Sequence, residues 1–132
     1  MEKLQRILHV DDAEDIRMII KLTLEMVGGF SVDQFASGQE AVEQSRGCNP
    51  QLFLLDFMMP DMDGMETWTA LRKLPGFADI PAVFVTAKAE ENFSQNMLDQ
   101  GALAVITKPF DPMELCGQIE AAWKAHHASA QG

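Results

Sequence analysis

Bases are scarce in this chain of 132 residues: ten Lys and Arg stand against twenty Asp and Glu, a formal charge of −10. That balance repels nucleic acid and anionic lipid, so neither is expected to bind directly through general electrostatics. Cysteine is scarce as well. Cys48 and Cys116 lie far apart and lack the spacing of a metal knuckle or a CxxC redox pair, so they read as free thiols in a reducing cytoplasm. No segment approaches the roughly 18 apolar residues of a membrane span. The start, MEKLQRILHVDD, meets acids before any stretch long enough for a signal peptide. A cytoplasmic location follows as the expectation. No Pro/Ser-rich linker interrupts the chain, whose length suits one domain over 1–132, with a core over about 5–125 and a frayed tail at 126–132.

What the chain does have is alternation. Five short apolar runs, RILHV (6–10), FSVDQF (30–35), LFLLD (52–56), AVFVT (82–86) and LAVIT (103–107), have the length and the Val, Ile, Leu and Phe content of strands. Helical spacing fills the intervals. Ile16, Ile20, Leu24 and Val27 fall near one face before the Gly28-Gly29 stop. Ser37 with Glu40 reads as a capping box. Met65, Trp68 and Leu71 share a side, and Phe93 and Met97 precede the stop at Gly101. Asp111, Pro112 and Glu114 open a fifth helix, on which Leu115, Ile119 and Trp123 recur four apart. Strand and helix alternating in this way predict an α/β fold of three layers, a parallel sheet covered on both faces.

Polar residues stand where the strands stop. Asp11 and Asp12 follow the first strand, Asp56 ends the third, Thr86 ends the fourth and Lys108 follows the fifth. Parallel strands bring their carboxyl ends to one edge, the usual place for a ligand in an open α/β sheet. Taken singly, each residue has an ordinary reading: Asp12 as a cap of the first helix, Thr86 as a strand residue, Lys108 as a loop residue. Together they describe a site. Three neighbouring carboxylates repel unless cations are present, and Mg²⁺ prefers one or two carboxylates with waters and a phosphate. With Lys108 as a further positive charge and Thr86 as a hydroxyl donor, the cluster suits an incoming dianion that one free carboxylate attacks.

The pieces ILHVDD, LLDFMMPDMDG, VFVTAKA and GALAVITKPF, in this order, resemble the receiver domain of two-component response regulators over residues 5 to about 125. The resemblance implies the flavodoxin-like (βα)5 receiver fold with strand order 2-1-3-4-5. It implies Asp56 as phosphoacceptor, and Asp11, Asp12, Asp56 and the backbone carbonyl of Met58 as ligands of Mg²⁺, for which Mn²⁺ can substitute. Lys108 would contact the phosphoryl group, Thr86 would move to hydrogen-bond it beside the small Ala87, and a cis peptide would precede Pro109. The implied partners are a sensor histidine kinase or phosphotransfer protein and a downstream protein that reads the surface around helix four, strand five and helix five. The chain is then a signalling phosphoacceptor, not an enzyme, and a monomer or a weak phosphorylation-dependent dimer.

The chain departs from the family pattern at Val105, where many receivers carry an aromatic that rotates inward, and it has no tyrosine at all. Met58 and Lys88 flank the expected entry of hydrolytic water, and an apolar Met58 would restrict it. His9 reads as a hydrogen-bonded core histidine. An EF-hand reading of DMDG fails, because counting back from Gly64 puts Met59 and Ala70 at the first and twelfth loop positions. A dehalogenase-type phosphatase needs a second acid two residues after Asp56, where Met58 stands, and a flavin module needs a phosphate loop where DDAED lies. The alternative from another class is a docking module that keeps the receiver shape without being phosphorylated.

Overall fold

The computed structural model describes residues 3–87 and 91–131, without the side chains of residue 91 and of 128–131. Five strands, β1 (Arg6–Val10), β2 (Ser31–Phe35), β3 (Leu52–Asp56), β4 (Ala82–Thr86) and β5 (Ala104–Thr107), form one sheet in the order β2-β1-β3-β4-β5. Every pairing is parallel. The register sets Val10 beside Leu55, Asp56 beside Val85 and Thr86 beside Thr107, so the strands finish together along one edge.

Burial explains the sequence pattern. The inner strands β3 and β4 are buried at every position, which is why they read as continuous apolar runs, whereas the edge strand β2 alternates. Successive side chains point to opposite faces. Leu52, Leu54, Val83 and Val85 join one cluster with Ile20, Leu24, Leu115 and Ile119. Phe53, Leu55 and Phe84 join a second with Ala41, Trp68, Leu71 and Met97. Helices α1 (Glu14–Met26) and α5 (Pro112–Gln131) therefore cover one face, and α2 (Gly38–Gln44), α3 (Gly64–Leu71) and α4 (Glu91–Asp99) the other.

The structure corrects the sequence reading in three places. Val27 is exposed, so the buried stripe of α1 ends at Leu24. The expected frayed tail continues α5 as far as Gln131, and His126 and His127 are half-buried, the His127 ring lying edge-on to Trp123 with centroids 4.2 Å apart. The reciprocal capping box is on α3: Asp63 accepts from the Glu66 amide at 2.8 Å, and Glu66 accepts from the Asp63 amide at 3.1 Å. At α2, Ser37 accepts from the Glu40 amide at 3.1 Å.

Candidate functional site

Where β1 stops, the chain places two acids in different settings. Asp11 is fully buried and Asp12 is exposed. One Asp11 oxygen, Oδ1, accepts from the Ala13 amide at 2.9 Å, and the Asp11 carbonyl accepts from the Arg17 guanidinium at 2.7 Å. The other, Oδ2, is buried without a hydrogen bond and faces the Lys108 ammonium at 3.5 Å. Asp12 does not cap α1: the capping position is Ala13, which has no side-chain hydrogen bond. That leaves the Asp12 carboxylate to the cluster.

Asp56, at the end of β3, is 3% exposed, and its Oδ1 lies 3.2 Å from Lys108 Nζ. Carboxylate oxygens of Asp11, Asp12 and Asp56 lie within 4.8 Å of one another. Burial, followed by the Asp11 charge, pushes the Asp56 carboxyl up to about 6, while Lys108 works in the opposite direction. Asp11 is also raised, first by burial. For Lys108, burial alone would lower the ammonium, but the Asp11 and Asp56 carboxylates outweigh it and the net shift is upward. Two strained acids and one overcommitted base mark a pocket built for more positive charge than the chain supplies.

Thr86 is buried at the end of β4, and the next residue, Ala87, is exposed. The Lys108 amide donates to the Thr86 carbonyl at 2.7 Å, which extends the β4–β5 ladder to the lysine, and the Lys108–Pro109 peptide is cis. Met58 lies in the loop after β3 with its side chain in solvent. Lys88 lies outside the described residues. His9 is buried, its Nδ1 lies 3.0 Å from Gln34 Nε2, and burial, helped by the Arg17 and Lys108 charges, lowers it to about 3. It is a neutral core histidine. Val105 is half-buried and packs against the second core cluster.

Sequence reasoning brought together Asp11, Asp12, Asp56, Thr86 and Lys108 but missed what fixes the Asp56 end of β3. The Gly64 amide donates to the Phe57 carbonyl at 2.9 Å, and the Phe57 amide donates to the Val85 carbonyl at 2.9 Å. A Cβ on Gly64 would stand 2.8 Å from the Asp56 carbonyl oxygen and 2.9 Å from Phe57 Cα. The glycine of DMDG is there because two backbones nearly touch.

The set of carboxylates fits a hard divalent ion: oxygen donors only, one of them buried without a hydrogen bond, with Asp12 open to solvent for exchange. A sheet of this order with that acid cluster at its carboxyl edge defines a class, and comparison with known proteins gives it a family. The model of the response regulator receiver domain matches residues 7–120, and the chain belongs to that family of two-component signalling proteins. It is 37% identical over 115 residues to the transcriptional regulatory protein SrrA of Staphylococcus aureus, covering 87% of this chain and 46% of that one. The chain thus spans about half the length of the curated relatives it matches. Among solved structures, the chemotaxis response regulator CheY4 of Vibrio cholerae superposes with a TM-score of 0.80 at 27% identity, over 91% of this chain and 99% of that one. The CheY-like receiver domain protein of Methanospirillum hungatei JF-1 gives 0.77 at 32% identity, over 98% and 100%.

Proposed function

We propose that Asp56 accepts a phosphoryl group from the phosphohistidine of a sensor histidine kinase or phosphotransfer protein, and that the modified chain binds a different protein partner. The observation that carries this reading is Asp56 itself: a buried carboxylate with one ammonium 3.2 Å away and two further acids beside it. An Asp56 oxygen attacks phosphorus, the P–O bond forms as the P–N bond breaks, and the leaving imidazole takes a proton from solvent. Asp11, Asp12, Asp56 and the Met58 carbonyl would hold Mg²⁺, with Mn²⁺ as a substitute. Bound there, the ion would offset the charge of the phosphoryl oxygens. Lys108, already between Asp11 and Asp56, moves onto the phosphoryl group, and Thr86 donates its hydroxyl while Ala87 leaves room. The chain is a signalling phosphoacceptor that assists its own modification rather than a turnover enzyme.

An apolar cleft beside Lys108, on which the donor would dock, supports this reading. A cleft of about 390 Å³ runs between Ile16 and Ile19 of α1 and Pro109, Phe110 and Pro112, with Lys108 in its wall. Exposed Met18, Leu22 and Met113 extend the available apolar surface. The decisive experiment is incubation with Mg²⁺ and a small phosphodonor followed by intact-mass measurement. One phosphoryl mass in the wild type and none in Asp56→Ala is expected. No gain, or a gain kept by the variant, overturns the reading and leaves the unphosphorylated docking module.

A further inference from the structure

Arg17 borders the acid cluster yet pairs with no carboxylate. Among the described residues, both ion pairs of the cluster belong to Lys108. The half-buried Arg17 guanidinium instead gives its Nη1 donor to the neutral carbonyl of Asp11, at 2.7 Å. A guanidinium placed to offset charge would fork onto a carboxylate, so this one has another use.

Hydrogen bonds close a ring around Asp11. Its amide donates to the Phe35 carbonyl at 3.2 Å, which ties its backbone to β2. Its carbonyl is held by Arg17, whose own carbonyl accepts from Gln34 Nε2 at 2.7 Å. Gln34 precedes Phe35 on β2, so the circuit returns to the strand where it began. A carbonyl can only accept, which fixes the amide nitrogen of Gln34 toward Arg17. The same nitrogen lies 3.0 Å from His9 Nδ1, which therefore accepts its second hydrogen. Arg17 is thus tethered both at its backbone and at its tip.

The ring leaves one atom of Asp11 over. Oδ1 accepts from the Ala13 amide at 2.9 Å, the backbone amide and carbonyl are bonded, and Oδ2 is buried without a hydrogen bond. Ala13, at the capping position of α1, has no side-chain hydrogen bond, so the turn depends on Asp11 and Arg17.

We propose that Arg17 is a positioning residue for the metal: by holding the Asp11 carbonyl, it fixes the direction in which Oδ2 meets Mg²⁺. This proposal deepens the reading of Asp11 as a ligand of the ion and rests on it. Arg17 acts through the Asp11 peptide and touches neither the ion nor the phosphoryl group.

The test is calorimetric titration with Mg²⁺ of wild type, Arg17→Lys and Arg17→Gln, beside metal-free thermal melts and intact mass after acetyl phosphate. Removing a group that orients a metal ligand usually weakens affinity by about 10–100-fold. Lysine keeps the charge but loses the planar fork, so Arg17→Lys is expected to raise the Mg²⁺ Kd about tenfold. Arg17→Gln also removes a charge that repels the ion, and is expected to lose less. A purely structural role would lower the metal-free melting temperature and leave the Kd of the folded chain unchanged. An unchanged Kd in Arg17→Lys overturns the proposal, and tighter binding in Arg17→Gln would then mark Arg17 as a repelling charge only. Wild type that binds Mg²⁺ but gains no phosphoryl mass overturns the phosphoacceptor reading and leaves the positioning role standing. Wild type that binds no Mg²⁺ overturns the ligand assignment and the positioning role together.

Discussion

Lys108 Nζ stands 3.2 Å from Asp56 Oδ1, so the proposed nucleophile is already paired with the cation that would later hold the transferred group. The same ammonium lies 3.5 Å from Asp11, which sets up a competition that each modification of the site shifts. Removing the ammonium therefore has two readable effects. In Lys108→Ala the Asp56 carboxyl should titrate above its wild-type value of about 6, because Lys108 opposes the rise. Phosphoryl uptake should fall by about 100-fold, the usual scale for losing one charge-stabilising donor. Carboxyl NMR titration and a mass time course check the pair. An unmoved Asp56 titration would show that the ion pair does not persist in solution.

Asp56 also makes stability depend on pH, with a sign that follows from its upward shift. The folded chain holds this proton up to about 6, whereas the unfolded chain releases it near 3.8. The stabilising contribution is therefore complete below about 3.8 and is lost as pH rises through about 6. Asp56→Asn should melt on the order of 5 °C above wild type at pH 7 and level with it near pH 3.5. Thermal melts across that range test the sign. Phosphoryl uptake should also slow as pH falls through about 6, because the neutral carboxyl is not a nucleophile.

Divalent cation should stabilise the folded chain as a proton on Asp56 does, by offsetting the crowded carboxylate charge. Mg²⁺ at a hundred times its Kd stabilises a protein by about 2.7 kcal/mol if only the folded state binds it. Wild type should gain that stability in Mg²⁺, and Asp11→Asn and Asp12→Asn should lose most of it. An Asp12→Asn chain that gains as much as wild type would show that the exposed acid is not a ligand.

Gly64 tests whether the Asp56 end of β3 and α3 need their close approach. Gly64→Ala sets a methyl 2.8 Å from the Asp56 carbonyl oxygen, and overpacking of this kind costs about 1–3 kcal/mol. Gly47→Ala, with nothing within 4 Å of the added carbon, is the matched control. Urea denaturation should separate them. Equal stability would mean that the backbone shifts aside at little cost.

Most of this fold was legible because burial in a parallel sheet writes itself as apolar runs, and strand ends show as the first polar residue after each run. The same logic brought Asp11, Asp56, Thr86 and Lys108 to one edge. It did not say which of Asp11 and Asp12 is buried, because neighbouring residues at a strand end differ only in the turn that the chain takes next. Gly64 carried a visible signal, the Asp-Gly of DMDG, but its purpose depends on how close α3 comes to β3. Val27 misled because a helical stripe extends by spacing even where no partner surface continues. His126 and His127 looked solvent-bound because the helix was expected to fray before them; once α5 continues, the four-residue spacing sets His127 beside Trp123.

With no tyrosine in the chain, near-ultraviolet emission comes from two indoles on opposite faces of the sheet. Trp68 lies edge-on to Phe84, which lies edge-on to Phe57 next to Asp56, and the Arg72 guanidinium is 4.0 Å from the Trp68 ring centre. Trp123 abuts the His127 imidazole instead. The molecule thus carries its own pair of optical probes, one on each side of the sheet and each beside a different ring.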